Sequence, residues 1–198
     1  IDHHIEYQQS KNWAPIAGDG ELTNKTLVIL GYGGIGSQVA KLGKAFGMRV
    51  TGIRRNPQDD EHADEVLGLD RFEELLPLTD YLVLSLPDSP QTRDIINADI
   101  LEKLSNSAMI INVGRGTAIN EEDLSDALNG EKIAAAALDT TKVEPLDASS
   151  SLWTAKNCFI SAHDSAHSLL SLERAVELFF QNIKNIKNGD QIVNLYSE

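Results

Sequence analysis

The chain has 198 residues, a length that fits one ordinary domain with a full hydrophobic core. Its formal charge of -13 argues against nucleic acid or an anionic membrane as a partner, because both require a basic surface. The single cysteine, Cys158, excludes an internal disulfide framework and a thiolate metal site.

The hydrophobic runs of the chain are short. The longest, such as 81–86 and 133–138, are far too short to cross a bilayer, and no basic-then-apolar signal segment opens the chain. We therefore expect a soluble, cytoplasmic protein. Because the chain starts at Ile1 without a methionine and runs directly into a helix-like stretch, we also expect a fragment of a longer polypeptide.

Short apolar runs alternate along the chain with longer amphipathic segments. This pattern predicts an α/β fold, a Rossmann-like doubly wound parallel sheet. The predicted strands lie near 26–31, 48–53, 66–69 (a weak one), 81–86, 108–113, 133–138 and 158–161. A helix is predicted to start at Asn120 and to end before Gly130. In the last helix, spacings of three and four predict one buried stripe, formed by Leu172, Val176, Phe179, Ile183 and Ile186.

The first predicted strand is followed directly by the glycine-rich sequence GYGGIG. Glycines between a strand and a helix allow a tight turn and the close approach of a pyrophosphate, whose charge then lies on the helix N-terminal amides. The alternative is a turn whose glycines only let the helix pack on the strand. The flanking pattern favours dinucleotide binding by Gly31, Gly33, Gly34, Ile35 and Gly36.

The second predicted strand ends in Arg54 and Arg55, where an NAD-binding domain usually carries an acidic residue for the ribose 2'-hydroxyl. Two guanidinium groups at this point suit a 2'-phosphate. We therefore expect NADP to be preferred over NAD. The alternatives are that both arginines face solvent, or that the choice of cofactor is relaxed.

The ends of the other predicted strands also carry polar or special residues. Ligands of open parallel sheets bind outside the carboxyl ends of the strands, so these residues should converge. They are Pro87, Arg115, Asp139 and His163. Arg115 lies between two glycines in INVGRGTAIN, where flexible glycines could let it clamp a substrate carboxylate with two hydrogen bonds. Alternatively, Arg115 only satisfies the carbonyl groups at a helix C-terminus.

Together these motifs resemble the nucleotide-binding domain of the D-isomer-specific 2-hydroxyacid dehydrogenases over nearly the whole chain. The resemblance rests on GYGGIG, KAFGMRV, SLPDSPQTRDIIN, INVGRGTAINEEDLSDAL, ALDTTKVEPL and SAHDSAH, in this order. Two positions differ from the family pattern: Ala162 stands where proline often precedes the histidine, and Asp164 follows it where small or hydrophobic residues are common. Neither difference removes a catalytic group.

The resemblance implies a role for each candidate residue. Arg115 would bind the carboxylate and carbonyl of a 2-oxo or 2-hydroxy acid, His163 would be the general acid/base, and Glu144 would orient and charge its imidazole. Pro87 would lie in the cofactor site, and Asp139 would hold the nicotinamide carboxamide. The resemblance further implies a homodimer with residues 7–13 in a dimer arm. Residues 1–198 would form one dinucleotide-binding domain that lacks the family's substrate-binding lobe.

The chemistry fits these residue types independently of the family. Reduction of a 2-oxo acid requires a hydride at the carbonyl carbon and a proton at its oxygen, and histidine is a natural proton donor near neutral pH. A neighbouring carboxylate favours the imidazolium form, and an arginine orients the acid and polarises the carbonyl.

Two functions from other classes remain open. The spacing of His163, Asp164 and His167 could provide ligands for a metal-dependent hydrolase, although this would leave the glycine loop without a purpose. The other is a non-catalytic dinucleotide sensor, similar to corepressors related to this family. The presence of Arg115, Glu144 and His163 favours turnover.

Overall fold

The computed structural model describes residues 2–15 and 20–194. A seven-stranded parallel sheet forms the centre of this structure, with the strand order β3-β2-β1-β4-β5-β6-β7. Its strands are β1 (Thr26–Leu30), β2 (Arg49–Ile53), β3 (Glu65–Leu67), β4 (Tyr81–Leu84), β5 (Met109–Asn112), β6 (Ala135–Leu138) and β7 (Cys158–Ile160). The predicted fold class is confirmed, and each predicted strand is present with bounds that differ by one to two residues.

The helix α1 (Asp2–Gln9) precedes the sheet, and α6 (Ser171–Asn188) follows it. The connections between the strands contain α2 (Gly34–Ala45), α3 (Phe72–Leu75), α4 (Ala98–Lys103) and α5 (Glu121–Asn129). The predicted start of α5 is confirmed, because the Asn120 side chain accepts a hydrogen bond from the Asp123 amide at 3.2 Å. Gly130 follows as the C-terminal cap. None of the helices within residues 2–15 and 20–194 is long and apolar enough to span a membrane.

The central strand β1 shows why the sheet is covered on two sides. Successive side chains of a strand point to opposite faces. Leu27 and Ile29 pack in one hydrophobic cluster with Ala40 of α2, whereas Leu30 packs in the other cluster with Leu124 of α5. All four residues from 27 to 30 are buried, as expected for a parallel strand with helices on both faces.

The reversal of strand order at β1 and β4 determines where a ligand can bind. Strands β2 and β3 extend the sheet on one side of β1, and β4 to β7 extend it on the other. The connections from the two halves therefore leave a crevice outside the carboxyl ends of β1 and β4, the usual binding position in such sheets. The glycine-rich sequence lies at this point.

The prediction that one stripe of the last helix is buried is wrong for this chain. In α6, Leu172 is 76 % exposed and Phe179 is 62 % exposed, and Val176 and Ile186 are exposed as well. Ile183 is only half-buried. The periodicity correctly indicates an apolar face, but no residue of this described helix is buried against the rest of the described chain.

Candidate active site

The glycine-rich loop is fixed between the ends of β2 and β4. The Gly31 amide donates to the carbonyl of Ile53 at 3.0 Å, and the hydroxyl of Ser85 donates to the carbonyl of Gly31 at 2.7 Å. Gly31 has φ +102, and a Cβ atom there would lie 2.7 Å from the Ser85 carbonyl oxygen. Only glycine fits this turn.

The remaining glycines of the loop divide into two kinds. A Cβ atom on Gly33 or Gly34 would have no described atom within 4 Å, whereas one on Gly36 would lie 2.8 Å from the Gly31 carbonyl oxygen. Gly36 thus lets α2 pack on β1, and Gly33 and Gly34 leave open space at the start of α2. Among the described residues no side chain caps this helix start, and Ile35 is exposed beside it. These residues fit a dinucleotide pyrophosphate, which takes its hydrogen bonds from helix N-terminal amides.

Arg54 and Arg55 follow β2 at the edge of the glycine loop. The Arg54 amide donates to the carbonyl of Leu67 at 3.0 Å, and its side chain is half-buried, whereas Arg55 is exposed. Because the amides of Gly31 and Tyr32 both donate to the carbonyl of Ile53, the residue before Arg54, the two arginines lie next to the glycine loop. Their position is compatible with binding of a phosphate on the adenosine ribose.

The structure brings Tyr32 and Asp60 to this edge, and sequence analysis missed both. The Tyr32 ring is buried over Gly52, where a Cβ atom would collide with it, and its hydroxyl donates to Asp60 Oδ1 at 3.0 Å. Burial, together with the Asp60 carboxylate, raises the pKa of Tyr32 to about 12. The amide of His62 also donates to Asp60, and it is the main cause of the lowered pKa of that carboxyl. The Asp60 carboxylate is thus a negative charge near Arg54.

The two glycines around Arg115 allow a close backbone approach rather than flexibility. A Cβ atom on Gly114 would lie 2.7 Å from the Leu86 amide nitrogen, and one on Gly116 would collide with the backbone of Thr141. Both glycines are buried. The explanation that flexible glycines hold this arginine is therefore replaced: Gly114 and Gly116 pack the ends of neighbouring strands, and this packing fixes the backbone of Arg115.

Asn112 at the end of β5 adds two hydrogen bonds to the same turn. Its fully buried side-chain amide donates to the carbonyl of Arg115 at 3.1 Å and accepts from the Gly114 amide at 3.0 Å. The Arg115 guanidinium is exposed and donates to the carbonyl of Gly114 at 2.9 Å. This carbonyl belongs to the turn, so the contact with helix C-terminal carbonyls considered for Arg115 is not the one that forms.

His163 and Glu144 form a direct pair at 2.8 Å between Nδ1 and Oε2. The other carboxylate oxygen of Glu144 accepts from the Thr141 amide at 3.1 Å. The hydrogen bond with His163 is the main cause of the lowered pKa of Glu144, and the Thr141 amide and the charge of Arg115 act in the same direction. The carboxylate is thereby kept ionised beside the imidazole.

Arg115, Glu144 and His163 line one small cavity of about 180 Å³. The other residues that line it are Asp88, Gly116, Thr117, Thr141 and Lys142. A second cavity of about 500 Å³ is also lined by Glu144 and His163, together with residues that include Asp139, Trp153 and Ala162. The three predicted catalytic side chains are thus brought together from three separate connections.

Pro87 and Asp139 also lie at this edge, but in different surroundings. Pro87 is exposed, and its carbonyl accepts from the Thr92 hydroxyl at 2.8 Å. Asp139 is buried, and its carboxylate accepts from the Ser161 hydroxyl at 2.7 Å and the Ser165 hydroxyl at 2.5 Å. Burial alone would raise the pKa of Asp139, but these hydrogen bonds outweigh it, so the pKa is lowered.

The alternative metal site does not form in the described part of the chain. Within residues 2–15 and 20–194, no three His, Cys, Asp or Glu side chains come together as a possible ligand set. Asp164 and His167 are instead joined through their backbones, with the His167 amide donating to the Asp164 carbonyl at 2.9 Å.

The sequence of residues 1–165 matches the family model described as the NAD binding domain of D-isomer specific 2-hydroxyacid dehydrogenases. The chain belongs to this family. The family resemblance expected from the motifs is therefore confirmed, and so is the expected class of cofactor site, a domain for a nicotinamide dinucleotide. The roles of individual side chains stay predictions.

Individual members of the dehydrogenase family are also similar to this chain. The chain is 35% identical to a hydroxypyruvate reductase of Blautia hydrogenotrophica over 97% of this chain and 60% of that protein. A family member of known structure from Aeromonas salmonicida has a TM-score of 0.89 and 34% identity, covering 100% of this chain and 63% of the other. The chain thus spans about 60% of the length of these relatives.

A further solved structure contains a cofactor. It is the NADPH-dependent glyoxylate/hydroxypyruvate reductase of Sinorhizobium meliloti in complex with NADP and sulfate, with a TM-score of 0.85 and 26% identity. The similarity covers 98% of this chain and 62% of that one.

Proposed function

We propose that this chain is the dinucleotide-binding part of an NAD(P)H-dependent oxidoreductase that interconverts small 2-oxo and 2-hydroxy acids. The observation that carries the proposal is the cavity that Arg115, Glu144 and His163 share at the carboxyl edge of the sheet. Three residue types with complementary chemical roles meet there, beside a glycine loop that fits a dinucleotide. The hydroxypyruvate and glyoxylate reductases among the relatives support this substrate class.

The bound nicotinamide would supply a hydride to the carbonyl carbon of the substrate. His163 would donate the proton to the carbonyl oxygen from Nε2, because Nδ1 is engaged with Glu144. Arg115 would turn from the Gly114 carbonyl to the substrate, where its forked donors match a carboxylate. In the reverse direction the same imidazole would accept the proton of the 2-hydroxyl group.

Reduction of glyoxylate, hydroxypyruvate and pyruvate with NADPH and NADH tests this function directly. The His163→Ala variant should lose roughly 10²–10⁴-fold in turnover while it binds cofactor as before, since the ring acts on the substrate oxygen. If the natural protein binds dinucleotide but reduces none of these acids, the function proposed here is wrong and a non-catalytic dinucleotide sensor replaces it.

For the cofactor, we propose that NADP is preferred over NAD. The half-buried Arg54 and the exposed Arg55 lie close to the position that the adenosine ribose would take if a dinucleotide bound to the glycine loop. The S. meliloti relative is NADPH-dependent. Fluorescence titration should show tighter binding of NADPH than of NADH, and Arg54→Asp should reduce this ratio. Equal affinities, or an unchanged ratio in the variant, would contradict the preference.

We further propose that the substrate-binding lobe lies in another part of a longer, cytoplasmic polypeptide that assembles as a homodimer. The chain spans only about 60% of its relatives, and the apolar stripe of α6 is left exposed. In residues 7–13, the expected dimer arm, the Trp13 side chain is fully exposed. An apolar side chain in that position suits burial against a second protomer.

A further inference from the structure

The backbone of the segment that carries His163 has a conformation that contacts with surrounding residues must stabilise. His163 has φ 53, in the left-handed region that L-residues rarely adopt. Such a conformation persists only where the surroundings determine it, and it occurs preferentially at functional sites. The position of the imidazole therefore depends on whatever fixes the backbone from residue 161 to residue 165.

Asp139 provides this fixation from the end of β6. Its carbonyl accepts from the His163 amide at 2.9 Å. Its carboxylate accepts from both sides of the histidine: from the Ser161 hydroxyl at 2.7 Å, the Asp164 amide at 3.1 Å, and the amide and hydroxyl of Ser165 at 3.1 and 2.5 Å. Asp139 itself is immobilised, because it is buried and its amide donates to the carbonyl of Asn112.

The two serines contribute differently to this arrangement. Ser161 is also held by the sheet, since its amide donates to the carbonyl of Leu138 at 2.9 Å. Ser165 lies beyond the sheet, in a stretch of exposed residues that begins at Ala162. Its hydroxyl and amide both donate to Asp139, so they fix the backbone on the C-terminal side of His163.

We propose that Ser165 is a positioning residue for His163 and acts through the buried Asp139 carboxylate. Its hydroxyl keeps residues 163–165 against Asp139, so that Nδ1 stays on Glu144 and Nε2 remains directed to the substrate cavity. The inference rests on the proposed function, because it assigns Ser165 to the general acid of that reaction. The proposal also assigns Asp139 a second role, in addition to the expected contact with the nicotinamide carboxamide.

An imidazole spectrum tests this positioning without any turnover. In protein labelled with ¹⁵N-histidine, one- and two-bond ¹⁵N–¹H correlations of the neutral ring report which nitrogen carries the proton; His163→Gln assigns the signal. The natural protein should show a His163 proton fixed on Nδ1. In Ser165→Ala, both ring nitrogens should shift towards the average of a mobile ring. Ser165→Thr should restore the fixed proton, since its hydroxyl is retained and the site is exposed enough for a methyl group.

Ser149→Ala is the matched control. The Ser149 hydroxyl also donates to an aspartate, Asp147 Oδ1 at 2.6 Å, but on an exposed loop. This variant should leave the His163 spectrum unchanged. An unchanged spectrum in Ser165→Ala would overturn the proposal, and so would equal losses in the Ala and Thr variants, because the hydroxyl would then have no positioning role.

Kinetics give a second readout. Ser165→Ala should lower kcat roughly tenfold with unchanged NADPH affinity, since a misplaced general acid slows the chemical step. Tighter NADPH binding with an unchanged kcat would instead mean that the hydroxyl only competes with the carboxamide for Asp139, and would overturn the proposal. If the natural protein reduces no 2-oxo acid, the proposed function fails, and the imidazole spectrum still decides the positioning of His163.

Discussion

At the scale of single residues, the pair of Glu144 and His163 has the clearest consequence. The short Nδ1–Oε2 contact holds the pKa of the Glu144 carboxyl below its usual value, so the carboxylate remains charged as pH falls towards the acidic range. A fixed negative charge beside an imidazole favours its protonated form. Reduction needs this protonated form, whereas oxidation of the 2-hydroxy acid needs the neutral ring.

Replacement of Glu144 by Gln should therefore lower kcat/KM for reduction, because the amide still accepts a hydrogen bond from Nδ1 but brings no negative charge to the ring that donates the proton. The difference from the natural protein should persist through the neutral range. It should narrow only in acid, where the pH falls through the lowered pKa of the Glu144 carboxyl and the natural protein loses the same charge. The measurement is kcat/KM against pH with saturating NADPH. Asp147→Asn, which removes a loop carboxylate outside both cavities, is the control, and an unchanged Glu144→Gln profile would show that Glu144 acts only as a loop residue.

Some residues of the candidate site could be predicted from the sequence, and others could not. Arg115, Glu144 and His163 follow from motifs, because each stands at the end of a strand or in a short recognisable sequence. The Tyr32–Asp60 and Ser161–Asp139 hydrogen bonds join residues 28 and 22 positions apart, and they depend on the paths of connections that have no sequence signature. Their partners could be identified only once the strand order had placed those connections side by side.

At the scale of elements, the geometry of the glycine loop predicts opposite effects for two glycine-to-alanine substitutions. Gly33→Ala should leave stability nearly unchanged, within about 0.5 kcal/mol, because its Cβ atom meets open space. It should nevertheless weaken dinucleotide binding, because the added methyl group fills the place of the pyrophosphate. Gly36→Ala should destabilise the fold by roughly 1–3 kcal/mol, because its Cβ atom would lie 2.8 Å from the Gly31 carbonyl oxygen.

Chemical denaturation and NADPH titration of both glycine variants provide the test. Gly20→Ala is a neutral comparison, since a Cβ atom there also meets open space in the described chain. Normal cofactor affinity in Gly33→Ala would mean that the pyrophosphate does not lie on this helix start.

Elements were predicted well where local sequence determines them. The strands β1, β4, β5 and β6 are mostly apolar runs, and the Asn120 cap is a local hydrogen bond. The burial of α6 was predicted wrongly for a physical reason. Periodicity shows that a helix has an apolar face, but it carries no information on which part of the molecule covers that face.

At the scale of the whole molecule, the exposed stripe of α6 offers a test of whether a further lobe of a longer polypeptide packs on this domain. In this chain, Phe179→Ser should change the free energy of unfolding by less than about 0.5 kcal/mol, because the ring is already 62 % exposed. In a natural chain extended to the length of its relatives, the same change should destabilise by roughly 2–4 kcal/mol if the proposed second lobe covers the stripe.

Denaturant unfolding of both chain lengths measures this difference. Leu124→Ala, which opens a cavity in the core beside the sheet, is the control and should destabilise both chains by a similar amount. Equal small effects of Phe179→Ser in the two lengths would show that no further lobe of the polypeptide packs on α6.

Cofactor binding and turnover should also separate between the two chain lengths. The glycine loop, Arg54 and Asp139 all belong to this chain, so the 198-residue form should bind NADPH about as well as the extended form. Turnover of glyoxylate or hydroxypyruvate should be on the order of a hundredfold lower, because only the extended form would carry the proposed second lobe that excludes water from the small cavity around Arg115 and His163 and positions the substrate. His163→Ala in both forms sets the background rate. If the short form reduces these acids as fast as the long one, the second lobe is not needed for catalysis, and this chain builds a complete site by itself or together with a second copy of itself.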